Sequence, residues 1–203
     1  MKTDLDIDTL IQQAAIFAEI ENSYDEPSLY GVTDGKRIGT YIEHKFKLYL
    51  SAQYIYEEGN SASGIDFPGL GIDLKVTSIT QPQSSSPFKS TRQQIYGLGY
   101  HLLIFVYEKF DDHHRQTAWL YVKQAYFIPK EHTADYQTTR RIIEIVTRDG
   151  NDDDLVAFLQ DHYLIVEDIA AREIANEILR NPPPLGYITA KSYQRQPNFV
   201  ITL

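Results

Sequence analysis

The sequence predicts an α/β fold in which a central mixed β-sheet is flanked by helices. A nearly continuous apolar run at residues 100–108 (YHLLIFVYE) has the composition of a strand that is covered on both faces. Segments with the pattern of helices lie on both sides of this run, at residues 4–22, 36–52, 134–148 and 152–180. This order of helices, strands and helices favours a sheet with helices packed against it.

The first half of the chain predicts two helices and a short strand. The first helix, over residues 4–22, has an inward stripe that contains Leu10, Ala14 and Phe17. Asp34 precedes the second helix, over residues 36–52, and is expected to cap it. The intervening segments are predicted as a loop, a short strand and a Gly/Ser-rich loop, at residues 24–33, 53–57 and 58–64.

The second half of the chain predicts two more strands and further helices. The run Pro182-Pro183-Pro184 ends the last helix, because proline lacks the N–H that a helix needs. The predicted elements are a polar loop at residues 79–90, a helix at 91–96, strands at 100–108 and 118–125 around a turn at 111–115, helices at 134–148 and 152–180 with a break near 163–166, and a hairpin at 186–203.

Residues 72–77 (IDLKVT) alternate apolar and polar side chains, which is typical of a half-buried strand. Successive side chains of a strand point to opposite faces. One face therefore carries Asp73, Lys75 and Thr77, and the core face carries Ile72, Leu74 and Val76. By itself this triplet also fits an exposed ion-pair face.

The segment before this strand predicts a metal site. Residues 67–71 (FPGLG) have turn composition and are expected to fold Asp66 back beside Asp73. Two adjacent carboxylates repel each other unless a cation lies between them, and oxygen ligands of this kind suit Mg²⁺. Asp66 and Asp73 are therefore predicted to bind Mg²⁺ directly, with the ammonium group of Lys75 within reach.

Residues 66–75 (DFPGLGIDLK) resemble the signature of the PD-(D/E)xK nucleases, in which an Asp and a short spacer precede Asp/Glu-x-Lys. The resemblance is to the compact form found in the mismatch-repair nicking endonuclease MutH and in related type II restriction enzymes. A helix with Glu after Gly belongs to the same pattern, and Gly39–Glu43 (GTYIE) is similar to it. Asp73 stands where the family usually has Glu. The Pro of the signature is absent before Asp66, where this chain has Ile65, and that position is variable in the family.

The resemblance implies a restriction-endonuclease-like core. It covers roughly residues 35–107, and it leads us to expect one nuclease domain over residues 1–203. The catalytic core is expected over about residues 35–130. A helical and C-terminal hairpin elaboration is expected over about residues 131–203.

The resemblance also implies roles for the site residues. Asp66 and Asp73 are the metal ligands, and the carbonyl of Leu74 is a further ligand. Glu43 is an outer-sphere ligand or a ligand of a second metal, and the alternative is a plain surface glutamate. Lys75 positions or polarises the attacking water, or stabilises the charge of the transition state. The expected metal is Mg²⁺, with Mn²⁺ as a substitute.

Two polar segments are predicted to contact DNA. Uncharged amides and hydroxyls suit base edges in a groove, and basic side chains hold phosphates or read guanine. The predicted contacts are Gln81, Gln83, Ser84, Ser85, Ser86, Lys89 and Arg92 after the motif strand, and Lys191 and Arg195 in the C-terminal hairpin. A flexible surface loop and a solvated strand are the respective alternatives.

The net charge of −9 is unevenly distributed. Residues 1–26 hold seven acidic residues and one lysine, and residues 149–177 hold nine acidic residues and one arginine. The rest of the chain has an excess of basic residues. Because the local potential governs contact with phosphates, the total charge does not exclude a nucleic-acid partner. The alternative is an acidic domain without such a partner.

The composition restricts the compartment. The chain has no cysteine, which excludes disulfides and zinc–thiolate sites. Its first residues lack the regions of a signal peptide, and no apolar run approaches the length of a membrane span. We expect a cytoplasmic protein that does not enter a membrane.

These observations predict a Mg²⁺-dependent type II restriction endonuclease that cuts double-stranded DNA at a specific sequence. The resemblance implies a homodimer and a cognate DNA methyltransferase that protects the host genome. One alternative is a MutH-like nicking endonuclease of mismatch repair. Others are a catalytically inactive DNA-binding module of the same fold, and an acidic protein-interaction domain in which the D-x-K triplet is accidental.

Overall fold

The computed structural model describes residues 2–59, 64–80 and 86–189, and the backbone of a last strand at residues 200–201. The chain divides into two compact units. The first comprises Met1–Ser84, Tyr100–Ile128 and Gln196–Leu203, and the second comprises Ser85–Gly99 and Pro129–Arg195. Each unit has its own hydrophobic core. The expectation of a single domain over residues 1–203 stays a prediction.

The first unit is built on a mixed β-sheet. The described residues contain seven strands: β1 (Thr3–Asp4), β2 (Asp25–Glu26), β3 (Tyr54–Ile55), β4 (Ile72–Ser78), β5 (His101–Asp112), β6 (Thr117–Ile128) and β7 (Val200–Ile201). Five of them form one sheet in the order β2-β6-β5-β4, with β7 also paired to β6, while β1 and β3 form a separate parallel pair. In the larger sheet β4 and β5 are parallel and the other pairs are antiparallel. The predicted α/β class with a mixed sheet is confirmed.

Two helices of the first unit pack against this sheet. They are α1 (Ile7–Glu21) and α2 (Gly35–Gln53). The side chain of Asp34 accepts the N–H of Lys36 at 2.9 Å, so the predicted cap of α2 is confirmed. The first helix begins later than predicted because Asp6 caps it by accepting the N–H of Thr9, while residues 3–4 pair with β3.

An aromatic core holds α1 and α2 on the sheet. The ring of Phe46 lies 5.0 Å from that of Phe17 and 5.1 Å from that of Phe105, and all three side chains are buried. At Gly39, α2 packs directly on β4, since a Cβ atom added there would be in ordinary van der Waals contact with the Cβ of Val76, at 3.7 Å. The residues of α2 that follow Gly39 are thereby held beside β4.

The central strand is β5, as predicted, because it lies between β4 and β6 and is buried from Leu102 to Tyr107. The predicted turn over residues 111–115 is wrong by about two residues. Asp111 and Asp112 still pair with β6, and the turn lies at residues 113–116. There Asp112 accepts the N–H groups of His114 and Arg115, at 2.9 and 3.0 Å.

Helices make up most of the described residues of the second unit. Its helices are α3 (Thr91–Tyr96), α4 (Tyr136–Thr147), α5 (Asp152–Asp161) and α6 (Asp168–Arg180). Its core contains Ile95, Ile142, Leu155, Leu159 and Ile178, all fully buried. The predicted helix 91–96 is confirmed, and so is the break near residues 163–166, where Tyr163 has a φ of 54°.

The predicted C-terminal hairpin over residues 186–203 lies largely outside the described residues. Within it, Val200–Ile201 pairs antiparallel with β6. No helix in the described part of the chain is long and apolar enough to cross a membrane.

Candidate active site

A tight turn before β4 builds the centre of the site. Phe67 and Ile72 exchange backbone hydrogen bonds across this turn, at 2.9 and 3.2 Å, and the side chain of Phe67 is fully buried. A single 3₁₀ turn, Pro68–Leu70, lies between them. It ends at Gly71, whose φ of 63° is a left-handed conformation that glycine adopts without strain. The chain therefore reverses direction between Asp66 and Asp73.

The turn brings together the three residues predicted for the centre of the site. The carboxylate of Asp66 accepts the N–H of Leu74 at 2.9 Å and forms a hydrogen bond with the carboxyl group of Asp73. The ammonium group of Lys75 lies 2.6 Å from Oδ2 of Asp73. Three chemically active side chains are thus adjacent, as the turn composition predicted.

The polar face of β4 is more enclosed than its alternating pattern predicted. Asp73 and Thr77 are each only 3% exposed, although their pattern is that of a solvent-facing row. Val76, expected in the core, is half-buried. Asp73 is enclosed because the turn folds Asp66 over it and Lys75 bonds to it. The strand therefore holds its catalytic candidates in a partly desolvated position.

Burial and mutual contact separate the protonation of the two aspartates. Burial, and after it the hydrogen bond to Asp66, raises the pKa of Asp73 to about 6, against the influence of Lys75. Burial also acts to raise the pKa of Asp66, but hydrogen bonds from Asp73, Lys47 and the N–H of Leu74 outweigh it and leave this pKa lowered. Two carboxyl groups this close cannot both ionise easily unless a cation lies between them.

The second helix supplies two more side chains, Glu43 and Lys47, which lie one helical turn apart. Burial, together with the negative charge of Asp66, raises the pKa of Glu43 to about 7. The ammonium group of Lys47 lies 2.5 Å from Oδ1 of Asp66. Lys47 was not among the predicted site residues; its four-residue spacing from Glu43 places both side chains on one helix face, but does not show that this face meets the turn.

These side chains line a cavity of about 290 Å³ at the turn. Its walls are Glu43, Lys47, Gly59, Gly64, Ile65, Asp66, Asp73, Leu74 and Lys75. A second cavity of about 450 Å³ lies beside β4, and Glu43 and Lys75 line it as well. The two cavities therefore meet at the predicted catalytic lysine.

The donor atoms fit a Mg²⁺ ion. Within the described residues no group of three or more acidic, histidine or cysteine side chains could hold a metal, and the candidate protein donors at the turn are the carboxylates of Asp66 and Asp73. The N–H of Leu74 points to Asp66, and the C=O of a strand residue points to the same side of the strand as its N–H. Mg²⁺ usually takes one or two carboxylates and completes its shell with waters and substrate phosphates. The role of Glu43 as a ligand stays a prediction.

The predicted DNA contacts are only partly within the described residues. Gln81, Gln83, Ser84, Ser85, Lys191 and Arg195 lie outside them. In the second unit, Ser86 accepts the N–H of Phe88, and Lys89 is exposed. Arg92 is paired with Glu177 through two N–H groups, at 2.5 and 2.7 Å. Their contact with DNA stays a prediction, and Arg92 would have to leave Glu177 to make it.

A mixed sheet with flanking helices, which carries paired aspartates and a lysine at the start of a strand, is consistent with a restriction-endonuclease-like core. A family model described as type II restriction enzyme NspV matches residues 4–195. The chain is also 57% identical, over 187 residues, to the type II restriction enzyme NspV of Nostoc sp. (strain ATCC 29411 / PCC 7524), an alignment that covers 92% of the chain and 85% of that enzyme. No solved structure matches the chain.

The chain belongs to the NspV family of type II restriction enzymes. The prediction of an endodeoxyribonuclease is therefore confirmed. The match extends far beyond residues 35–107, where the resemblance was seen, because it includes the N-terminal helix and most of the second unit.

Proposed function

We propose that the protein is a Mg²⁺-dependent endonuclease with a PD-(D/E)xK site of the MutH-like branch, which hydrolyses both strands of DNA at a specific sequence. The observation that carries this proposal is the adjacent pair of Asp66 and the buried Asp73, with Lys75 bonded to Asp73. A pair of adjacent carboxylates is unfavourable unless a proton or a cation is shared between them. Membership of the restriction enzyme family supports DNA as the substrate.

The carboxylates of Asp66 and Asp73 and the carbonyl of Leu74 would hold the metal. When bound, the metal supplies Lewis acidity toward the phosphate and lowers the pKa of a water molecule. The hydrogen bond from the N–H of Leu74 fixes the orientation of the Asp66 carboxylate. Burial of Asp73 keeps its oxygens from competing water. Mn²⁺ is expected to substitute for Mg²⁺, because both accept oxygen ligands.

Lys75 acts on the reacting atoms in this proposal. Its ammonium group lies at the wall shared by the two cavities. There it orients the attacking water by hydrogen bonding, or it stabilises negative charge on the phosphate in the transition state. Glu43, on the same shared wall, would hold an outer-sphere water or a second metal.

A homodimer accounts for two cuts. One site of this kind cleaves one strand, and the strands of a symmetric DNA sequence are related by a two-fold axis. Two copies of the chain around that axis place one site at each strand. A cognate DNA methyltransferase that modifies the same sequence would protect the host genome.

DNA cleavage by the purified protein separates this proposal from its rivals. Supercoiled plasmid and phage DNA are incubated with Mg²⁺ and, in parallel, with EDTA. The proposal predicts discrete double-strand fragments that form only with the metal. Accumulation of open circles would instead indicate a nicking enzyme, and shifted but uncut DNA would indicate an inactive binding module.

Asp73→Asn tests the site itself. It removes a charged ligand while it keeps the shape of the side chain, so cleavage is expected to fall at least about 100-fold with DNA binding retained, since charge stabilisation of the transition state is lost. Glu108→Gln is the matched control, because Glu108 pairs with Lys123 on the hairpin of β5 and β6 and does not line either cavity. Unchanged cleavage by Asp73→Asn would refute the site.

A further inference from the structure

Lys47 reaches from α2 into the carboxylate pair. Its Nζ lies 2.5 Å from Oδ1 of Asp66, and its side chain is only 16% exposed. The other oxygen of Asp66 accepts the N–H of Leu74 at 2.9 Å. Both oxygens of Asp66 are thus already bonded within the protein. One of them, Oδ1, is bonded to a positive charge, although Asp66 is a proposed metal ligand.

We propose that Lys47 is an internal counter-ion that competes with the divalent metal for Asp66. This inference rests on the proposed function, which assigns Asp66 to the metal. A metal bound to Oδ1 and an ammonium group at 2.5 Å from the same atom would occupy overlapping space and repel each other. Metal binding must therefore displace Lys47, and the metal affinity of the DNA-free protein is lowered by the ion pair that is lost.

Lys47 has a second position available within the same cavity. Glu43 lies one turn earlier on α2, at the spacing where a glutamate and a following lysine meet on a helix surface. Glu43 and Lys47 both line the cavity at the turn. The displaced ammonium group can therefore remain in the site beside Glu43, or meet a phosphate oxygen of the DNA. Lys75 is placed differently, because it bonds to the other aspartate, Asp73, and lies on the same strand as that residue.

This arrangement couples metal binding to DNA binding. A DNA phosphate offers Lys47 another anion, so it weakens the hold of Lys47 on Asp66 and favours the metal. By thermodynamic linkage the metal favours DNA binding to the same extent. Lys47 thus acts as a positioning residue that restrains metal loading until the substrate is present.

The test is the affinity of the DNA-free protein for Mn²⁺, measured from the electron paramagnetic resonance signal of unbound Mn²⁺. Lys47→Met is expected to bind Mn²⁺ about tenfold more tightly than the unmodified protein, a change of the size that is usual for coupling between two bound groups. Lys47→Arg, which keeps the charge, should remain weak. Lys123→Met is the matched control, because Lys123 pairs with Glu108 and does not line the cavity.

Equal Mn²⁺ affinity in Lys47→Met and the unmodified protein would overturn the inference. Gain of affinity that survives the added change Asp66→Asn would also overturn it, because the metal would then bind elsewhere. If Lys47→Met does not fold, as judged by circular dichroism, Lys47→Gln replaces it. The proposed function is judged separately by cleavage with Asp73→Asn, so it can stand if Lys47 proves not to compete.

Discussion

The two aspartates of this site, Asp66 and Asp73, lie in different environments. Asp66 receives hydrogen bonds from Lys47 and the N–H of Leu74, so it carries its negative charge readily. Asp73 is more deeply buried, and burial raises its pKa to about 6. A divalent cation would relieve the repulsion and allow both to ionise. Metal affinity should therefore decline as the pH falls toward 6.

Glu43 should make the metal-free protein less stable as the pH rises. Burial raises its pKa from an ordinary 4.5 to about 7. The folded protein then binds a proton that the unfolded chain has released, so unfolding free energy falls between about pH 4.5 and pH 7. Asp73 acts in the same direction at lower pH. We expect Glu43→Gln to flatten this decline, measured by urea unfolding in EDTA at pH 5 and pH 8.

Glu108→Gln is the control for this measurement, since it removes a carboxylate that pairs with Lys123 and lies outside both cavities. The control should keep the decline of the unmodified protein. A Glu43→Gln variant that lost stability with pH as steeply as the control would contradict the assigned environment of Glu43.

The meeting of Asp66, Asp73 and Lys75 was predictable, because turn composition and strand alternation are both local signals. Lys47 was not predicted. Its partner Asp66 lies 19 residues further along the chain, and helical periodicity does not indicate to which side the turn folds. The burial of Asp73 was missed for the same reason, since it depends on what the turn places over it.

At the scale of elements, α2 is the support for the site. Its cap by Asp34 and its close approach at Gly39 fix where Glu43 and Lys47 enter the cavity. The cap was predictable, because an aspartate before an apolar helical stripe is a local signal. The extent of the hairpin of β5 and β6 was not predictable, because Asp111 and Asp112 have turn composition and still pair in the sheet.

Gly71 should be required by the turn that joins Asp66 to Asp73. Its φ of 63° is unfavourable for residues with a Cβ atom, although the space around it is open. Gly71→Ala is expected to cost about 1–2 kcal/mol of unfolding free energy and to reduce cleavage. Gly71→Asn should cost less, because Asn visits this conformation more readily. Urea unfolding and a plasmid assay measure both, and equal stability of all three proteins would contradict the role of the turn.

At the scale of the whole molecule, the net charge of −9 is not a guide to the site. The acidic residues 149–177 belong to the second unit, whereas the carboxylate pair and its lysines belong to the first. The α/β class was predictable from periodicity. The division into two units was not predictable, because the units alternate along the chain: residues 85–99 belong to the second unit, and the strand that follows them belongs to the first.

The two-cut proposal predicts a dimer with concerted cleavage. Sedimentation of the DNA-bound protein should give the mass of two chains. A plasmid with one recognition sequence should pass from supercoiled to linear with little open-circular intermediate, because both strands are cut in one complex. A monomeric complex that accumulates open circles would contradict the dimer and favour a nicking enzyme.

The most direct measurement is to map the metal on the chain. Fe²⁺ is bound in place of Mg²⁺, and ascorbate with peroxide then generates radicals that cut the polypeptide close to the ion. Mass spectrometry of the fragments should locate the cuts near Asp66 and Asp73, and excess Mg²⁺ or Asp66→Asn should suppress them. Cuts confined to other parts of the chain, or unaffected by Asp66→Asn, would contradict the claim that this pair holds the catalytic metal.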